Sequence, residues 1–257
     1  MQAIVAHSSR KYGHSPRDTI LVGMHHDGIR ENLAKLRERI EDAAVRAGRR
    51  SDELTLIAVS KTHPAEAVRQ AFAAGVRHFG ENRVQEWEGK RGGVADLPGH
   101  WHLIGHLQSN KAARAARMFH SVDSVDEFRL AERLDRARAE APGEPKLRVL
   151  IEVRVAPEEN KSGVETEGLP ELAEKTCSLA NLELAGLMCI PPLLEDAEKV
   201  RPYFAELRRQ KRLLEQRMGR ALPVLSMGMS HDFEAAIAEG ATEIRVGTAI
   251  FGERMSA

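Results

Sequence analysis

The stretch Leu54-Thr55-Leu56-Ile57-Ala58-Val59-Ser60-Lys61-Thr62-His63-Pro64 decides how the rest of the chain is read. Its first six residues are apolar or β-branched and contain no breaker, the pattern of a short strand buried on both faces. The strand is predicted to end at Ser60, and His63-Pro64 opens a helical pattern with proline in the first turn. Lys61 therefore stands where a buried strand emerges into a loop. In parallel α/β proteins that edge is where chemistry is placed. Apolar walls disfavour a charged amine and lower its pKa, and a neutral amine attacks carbonyls to form an imine. A solvated lysine at a strand end is the plainer alternative, and the choice rests on what else reaches the same edge.

Outward from this stretch the chain alternates. Upstream, Ile29, Leu33, Leu36, Ile40, Ala44 and Ala47 recur at helical spacing, with Gly48 as a stop. Downstream, strands are predicted at 76–79, 101–104, 119–122, 147–153, 182–188, 224–225 and 243–246. Helices are predicted between them at 65–74, 83–90, 108–118, 125–139, 169–180, 196–218 and 232–238. Ser124 is expected to cap the helix at 125 and Ser230 the helix at 232. Strand then helix, repeated after one leading helix, means parallel strands with helical crossovers. The chain has 257 residues and no obvious linker, which suits one closed (β/α)8 barrel. An open doubly wound sheet would be supported by a Gly-x-Gly-x-x-Gly turn after the first strand, and none is there. The expected fold is α/β, a single (β/α)8 TIM barrel with an extra N-terminal helix.

Composition narrows the function classes. Lys+Arg and Asp+Glu both number 38, giving zero formal charge, which argues against a general nucleic-acid binder. No apolar run reaches membrane-spanning length. Cys177 and Cys189 are expected as free thiols in a reducing cytoplasm. The eleven histidines are scattered without metal-ligand spacing, so no metal is expected. Residues 1–23 mix Ser, His, Arg, Lys and Gly with a short apolar patch, Thr19-Ile20-Leu21-Val22, and carry no secretory signal pattern. They are expected to be a disordered extension, an upstream start included among its origins, because Met24 directly precedes the first periodic helix. Residues 24–257 are expected to form the barrel.

In a barrel, residues just after each strand share one mouth. That set is Lys61, Asn82, His106, Asp123, the loop 157–163, Pro191, the turn Ser226-Met227-Gly228-Met229-Ser230, and Gly247-Thr248. The last two turns carry small residues, hydroxyls and backbone N–H groups beside helix starts, after strands seven and eight, where barrels commonly hold phosphate. Ordinary loop and cap residues would look the same. Arg245 lies within the eighth strand, where an unpaired guanidinium is unfavourable; it faces either the barrel interior or solvent. A lysine, a phosphate cradle and an inward arginine together suit a phosphorylated aldehyde. Pyridoxal 5′-phosphate is such a molecule, and its ring nitrogen accepts an arginine partner.

Longer motifs carry a resemblance. Ala58-Val59-Ser60-Lys61-Thr62, Phe79-Gly80-Glu81-Asn82 and Trp101-His102-Leu103-Ile104-Gly105-His106-Leu107-Gln108-Ser109-Asn110-Lys111 come first. Lys161-Ser162-Gly163, Gly186-Leu187-Met188, Leu225-Ser226-Met227-Gly228-Met229-Ser230 and Arg245-Val246-Gly247-Thr248-Ala249-Ile250-Phe251-Gly252 follow. In this order, over about residues 25–254, the chain resembles the pyridoxal phosphate homeostasis protein family, of the YggS/PROSC type. His231 stands where many members carry an acidic residue. The resemblance implies a barrel of the alanine racemase N-terminal type. It implies pyridoxal 5′-phosphate as a Schiff base on Lys61 and Asn82 beside the ring. Arg245 would meet the pyridine nitrogen. Ser226, Ser230, Gly247 and Thr248 would hold the phosphate, with a backbone contact from Met227.

It also implies a cytoplasmic vitamin B6 carrier or regulator without established catalysis, with no catalytic residues, serving pyridoxal-phosphate-dependent apo-enzymes. An arginine partner keeps the ring nitrogen neutral and weakens the electron sink. Few residues follow the eighth strand, so the second domain of racemases is expected to be absent, the mouth open to water and the protein a monomer. A racemase-like enzyme acting on a small amino acid and a cofactor-free imine-forming aldolase are the competing functions. The role of a second lysine near the mouth, Lys161, stays open.

Overall fold

The strand that opens the barrel, β1 (Thr55–Val59), is built from β-branched and apolar residues and buries Ile57 and Ala58 completely. In the computed structural model, which describes residues 16–141, 143–156 and 162–252 and side chains from residue 28 onward, it is one of a closed ring of parallel strands. The others are β2 (His78–Glu81), β3 (His100–Leu103), β4 (Ser121–Val125), β5 (Leu147–Glu152), β6 (Leu182–Met188), β7 (Val224–Ser226) and β8 (Glu243–Val246). Each strand pairs with the next in parallel, and β8 closes on β1 with Ala58 opposite Val246. The crossovers are α2 (Ala65–Ala73), α3 (Val84–Lys90), α4 (Ala112–Met118), α5 (Phe128–Ala139), α6 (Leu169–Cys177), α7 (Arg201–Met218) and α8 (Phe233–Ala238). The expected (β/α)8 barrel is the fold observed.

The leading helix α1 (Pro16–Arg46) starts at a proline, whose fixed φ suits a first helical position, and meets no other proline before Pro64. Residues 16–23, expected in a disordered extension, thus continue this helix; residues 1–15 lie outside the described residues. The apolar stripe of α1 buries Leu33 and Leu36 against the barrel wall, about 1.5–3 kcal/mol for each such side chain. From the same helix, Asn32 Nδ2 donates to the carbonyl of Ile250 at 3.1 Å. That bond ties α1 to the short closing helix α9 (Thr248–Phe251).

One continuous core lies between the strands and the helices, with Phe79, Leu103, Val122, Leu130, Phe204 and Phe233 among its members. The barrel interior differs. An apolar plug of Leu150, Ala185 and Met188 fills the β5–β6 side, whereas His102, Ser121, Asp123, Arg148 and Glu243 form a polar network. Two strands start two residues later than the pattern predicts. β2 runs to Glu81 and β4 to Val125, because Glu81, Asp123 and Ser124 are buried polar strand residues and not strand ends.

Two capping expectations change accordingly. Ser124 donates to the carbonyl of Gly105 at 2.8 Å from within β4, and α5 starts later, after Glu127. Ser230 does not cap α8, whose N-cap position is Asp232.

Candidate functional site at the C-terminal rim

Closure of β8 onto β1 sets the geometry. Because Ala58 and Val246 are register partners, Ser60-Lys61 and Gly247-Thr248 leave the barrel side by side. A side chain at position 247 would bring its Cβ to 3.3 Å from the carbonyl oxygen of Val59, so glycine there permits the close approach of the two turns. Further out, the His63 ring stacks on Phe251 with centroids 4.8 Å apart. The amine of the first strand and the turn of the last therefore share one rim.

Lys61 is half-buried, and the next residue, Thr62, holds φ +66°. A β-branched residue in this left-handed region is strained, and such strain persists where surrounding contacts over-determine it. Those contacts come from β2 and α3. Lys90 Nζ donates to the carbonyl of Ser60 at 2.7 Å and to Glu81 Oε1 at 2.7 Å, and Ser60 Oγ donates to the same Glu81 oxygen at 2.6 Å. The Thr62 N–H donates to the Glu86 carboxylate. Burial pushes the Glu81 carboxyl up, outweighing the opposing pull of Lys90. Sequence reasoning missed this cluster: Glu86 and Lys90 lie in a predicted helix with nothing local to single them out, and only the fold brings them to Thr62 and Ser60.

Arg245 faces the barrel interior. It is 3% exposed, donates through Nη1 to Ser226 Oγ at 2.9 Å and through Nη2 to the Cys189 carbonyl at 2.7 Å. Its guanidinium is thus drawn toward the strand ends of β6 and β7. Burial pushes the Cys189 thiol up to about 12, which makes it inert. At the end of β5, burial pushes Glu152 up to about 7, with Asp126 adding to the push and Arg245 opposing it. Sequence reading passed over Glu152 as part of an apolar strand.

The turn after β7 and the turn after β8 are joined directly. The Gly247 N–H reaches Ser230 Oγ at 3.3 Å, and the Gly228 carbonyl accepts from the Arg245 N–H at 2.9 Å. Gly228 holds φ +92° to make the turn. The Met227 N–H donates to the Glu243 carbonyl at 3.1 Å and its side chain is wholly buried. Met229 is committed likewise, its N–H donating to Asp232 Oδ1 at 2.6 Å. Of the other expected residues of these turns, Ser230 and Gly247 are half-buried, Thr248 is exposed at the start of α9, and Ser226 is wholly buried.

Asn82 leaves β2 half-buried against Gly105. A Cβ at position 105 would collide with the Asn82 carbonyl and stand 2.8 Å from its Cγ. The other rim expectations scatter. His106 is exposed and 3.5 Å from Asp126. Asp123 is not on the rim but inside the barrel, fully buried beside His102 at 3.1 Å. Lys161 lies outside the described residues.

His102, Asp123 and Glu243 have the composition of a metal site. Arg148 already occupies the cation position among them. It donates to Glu243 at 2.6 Å and to Ser121 at 3.0 Å, and its Nη1 lies 3.7 Å from Asp123. Burial pushes Asp123 up, but His102 and Arg148 together hold it below the ordinary carboxylate value. The cluster is a compensated structural network.

Comparison with known proteins agrees with this architecture. The family described as alanine racemase, N-terminal domain, matches residues 25–255. The pyridoxal phosphate homeostasis protein of Pseudomonas aeruginosa is 50% identical over 226 residues, covering 88% of this chain and 96% of that protein. The protein of the same name from Escherichia coli K12 is 45% identical, covering 88% and 97%. The solved structure of PipY from Synechococcus elongatus with PLP bound is 42% identical, has a TM-score of 0.77 and covers 87% of this chain and all of that one. Alanine racemase from Corynebacterium glutamicum shares the fold at a TM-score of 0.65, with 17% identity. The chain belongs to the alanine racemase N-terminal domain family and, within it, to the pyridoxal phosphate homeostasis proteins.

Proposed function

We propose that this chain binds pyridoxal 5′-phosphate as a Schiff base on Lys61 and acts in cellular vitamin B6 homeostasis, without catalytic turnover. The observation that supports this most is the shared rim: Lys61 leaves β1 directly beside Gly247-Thr248, with Arg245 buried between the ends of β6 and β7. The donor set suits the molecule. An amine meets the aldehyde, a permanently charged guanidinium meets the ring nitrogen, and hydroxyls with backbone N–H groups meet the phosphate. When bound, the cofactor supplies an electron-withdrawing ring to an amine-linked carbon.

The chain's own residues bind and orient without driving that chemistry. Arg245 donates hydrogen bonds and has no proton to give up at neutral pH, so it leaves a facing ring nitrogen unprotonated. Buried Ser226 accepts from Arg245, and Ser230 accepts from the Gly247 N–H, so the two turns that would meet the phosphate are tied to β8 and to each other. Asn82 is wedged against Gly105 at the side of β2. Met227 shapes the turn from behind. The names of the curated relatives, which are homeostasis proteins, support a carrier role toward apo-enzymes. The free cysteines support a reducing compartment such as the cytoplasm, and we read the protein as a monomer there.

The test is the absorbance of the purified protein with added pyridoxal 5′-phosphate, followed by borohydride reduction and peptide mapping. Wild type is expected to show near-ultraviolet or visible imine absorbance with the label on Lys61, and Lys61→Ala to lose both while staying folded. Retained stoichiometric imine in Lys61→Ala overturns the assignment, and sustained amino-acid racemisation by the wild type overturns the non-catalytic reading.

A further inference from the structure

We propose that Lys90 is a positioning residue for Lys61, acting with Glu81 and Glu86 as a clamp on the two peptide groups that flank it. The proposal rests on Lys61 being the attachment point. The Ser60 carbonyl, immediately before Lys61, accepts from Lys90 Nζ at 2.7 Å. The Thr62 N–H, immediately after Lys61, donates to the Glu86 carboxylate. The Ser60 side chain is held by Glu81 Oε1 at 2.6 Å, and Lys90 ties the cluster together at 2.7 Å from Glu81 and 3.7 Å from Glu86. All three partners come from one unit, β2 and the helix that follows it. The lysine that would carry the ligand is thus oriented by a neighbouring strand–helix pair through its own backbone.

An ordinary structural ion pair does not account for this arrangement. The Lys90 side chain is 8% exposed and that of Glu81 is wholly buried. Taking both from water carries a desolvation penalty that their attraction often fails to recover, so a buried pair is weak support for stability. Here the pair spends its remaining hydrogen bonds on the turn of Lys61, and Thr62 is held in a left-handed conformation that β-branched residues avoid. Strain of this kind survives where contacts over-determine it. Here the clamp supplies those contacts on both sides of a single residue. Its effect falls on the approach of the Lys61 nitrogen to a carbonyl, because small misplacement of a reacting group is enough to slow the step strongly. Arg245 and the turns after β7 and β8, proposed for the ring nitrogen and the phosphate, are not among the clamp's hydrogen-bond partners; Asn82, next to Glu81, is the one proposed ring residue on the same strand end.

That separation defines the experiment. The step that is followed joins the Lys61 nitrogen to the aldehyde carbon and releases the aldehyde oxygen as water. Its rate is measured by absorbance with pyridoxal 5′-phosphate. Binding alone is measured with pyridoxine 5′-phosphate, which keeps the ring and phosphate and lacks the aldehyde. Lys90→Met is expected to slow imine formation by at least about tenfold while pyridoxine 5′-phosphate binds as to wild type. Lys90→Arg, which donates to the same acceptors, is expected to restore most of the rate. Glu86→Ala, changed at a more exposed position, is expected to slow the step less, again without weakening the analogue; it carries the test if Lys90→Met does not fold. Equal loss of rate and analogue binding overturns the proposal in favour of general support of the rim. An unchanged rate in both Lys90→Met and Glu86→Ala overturns it outright. If borohydride fixes the wild-type label on another lysine, it is the Lys61 assignment that fails, and peptide mapping tells the two failures apart.

Discussion

Replacing Glu152 by glutamine should flatten part of the pH dependence of stability. Glu152 ends β5 at 6% exposure, and burial moves its carboxyl from an ordinary 4.5 up to about 7, with Asp126 reinforcing and Arg245 opposing. Between those two values the native protein keeps a proton that the unfolded chain has released. The native state then binds more protons than the unfolded one, so stability falls as pH rises. The contribution is fully present below about pH 4.5 and is lost as pH climbs through about 7. At about 1.4 kcal/mol per pH unit, the gap from 4.5 to about 7 corresponds to about 3 kcal/mol. Urea unfolding of the cofactor-free protein across pH 4.5–8 measures it, with wild type and Glu152→Gln run in parallel so that other titrating groups cancel. The wild type should lose about 3 kcal/mol more than the variant over that window. Parallel curves would refute a buried neutral carboxyl at this position. A wild type that instead gains stability relative to the variant as pH rises would show that Glu152 is ion-paired with Arg245.

Two other perturbations separate the parts of the rim. Ser226→Ala and Thr248→Val should shorten retention of pyridoxal 5′-phosphate through dialysis more than they slow its attachment to Lys61; if both variants retain it like wild type, the phosphate lies elsewhere. Gly105→Ala would drive a Cβ into the Asn82 carbonyl and should destabilise by about 1–3 kcal/mol in thermal or urea unfolding, as overpacking does. An unchanged unfolding midpoint would show that the β2 and β3 ends are not in contact there.

Much of the site is legible along the chain because strand ends in a parallel barrel are local events. Lys61, Asn82, Ser226, Gly247 and Thr248 each stand at or just after a predicted strand, and each lies at the C-terminal end of one. Arg245 is ambiguous in the sequence, since alternation along a strand says only that neighbours face opposite sides. The structure turns it inward, against Ser226 and the Cys189 carbonyl. By residue type Asp123, Ser124 and Ser230 read as rim or cap residues, and in the fold each contacts a distant strand or turn.

Apolar spacing, a property of neighbouring residues, determines the alternation of strands and helices and the lysine at the end of β1, and the number of units in a chain of this length favours the closed barrel. Tertiary structure decided the rest. Polar residues such as Glu81 and Asp123 end a strand when they meet water and continue it when they meet Lys90, His102 or Arg148, and a linear pattern carries no record of which they will meet. The clamp on Ser60 and Thr62 depends on β2 and its helix packing beside β1, the raised pKa of Glu152 on burial, and the meeting of residues 60–61 with residues 247–248 on β8 closing onto β1.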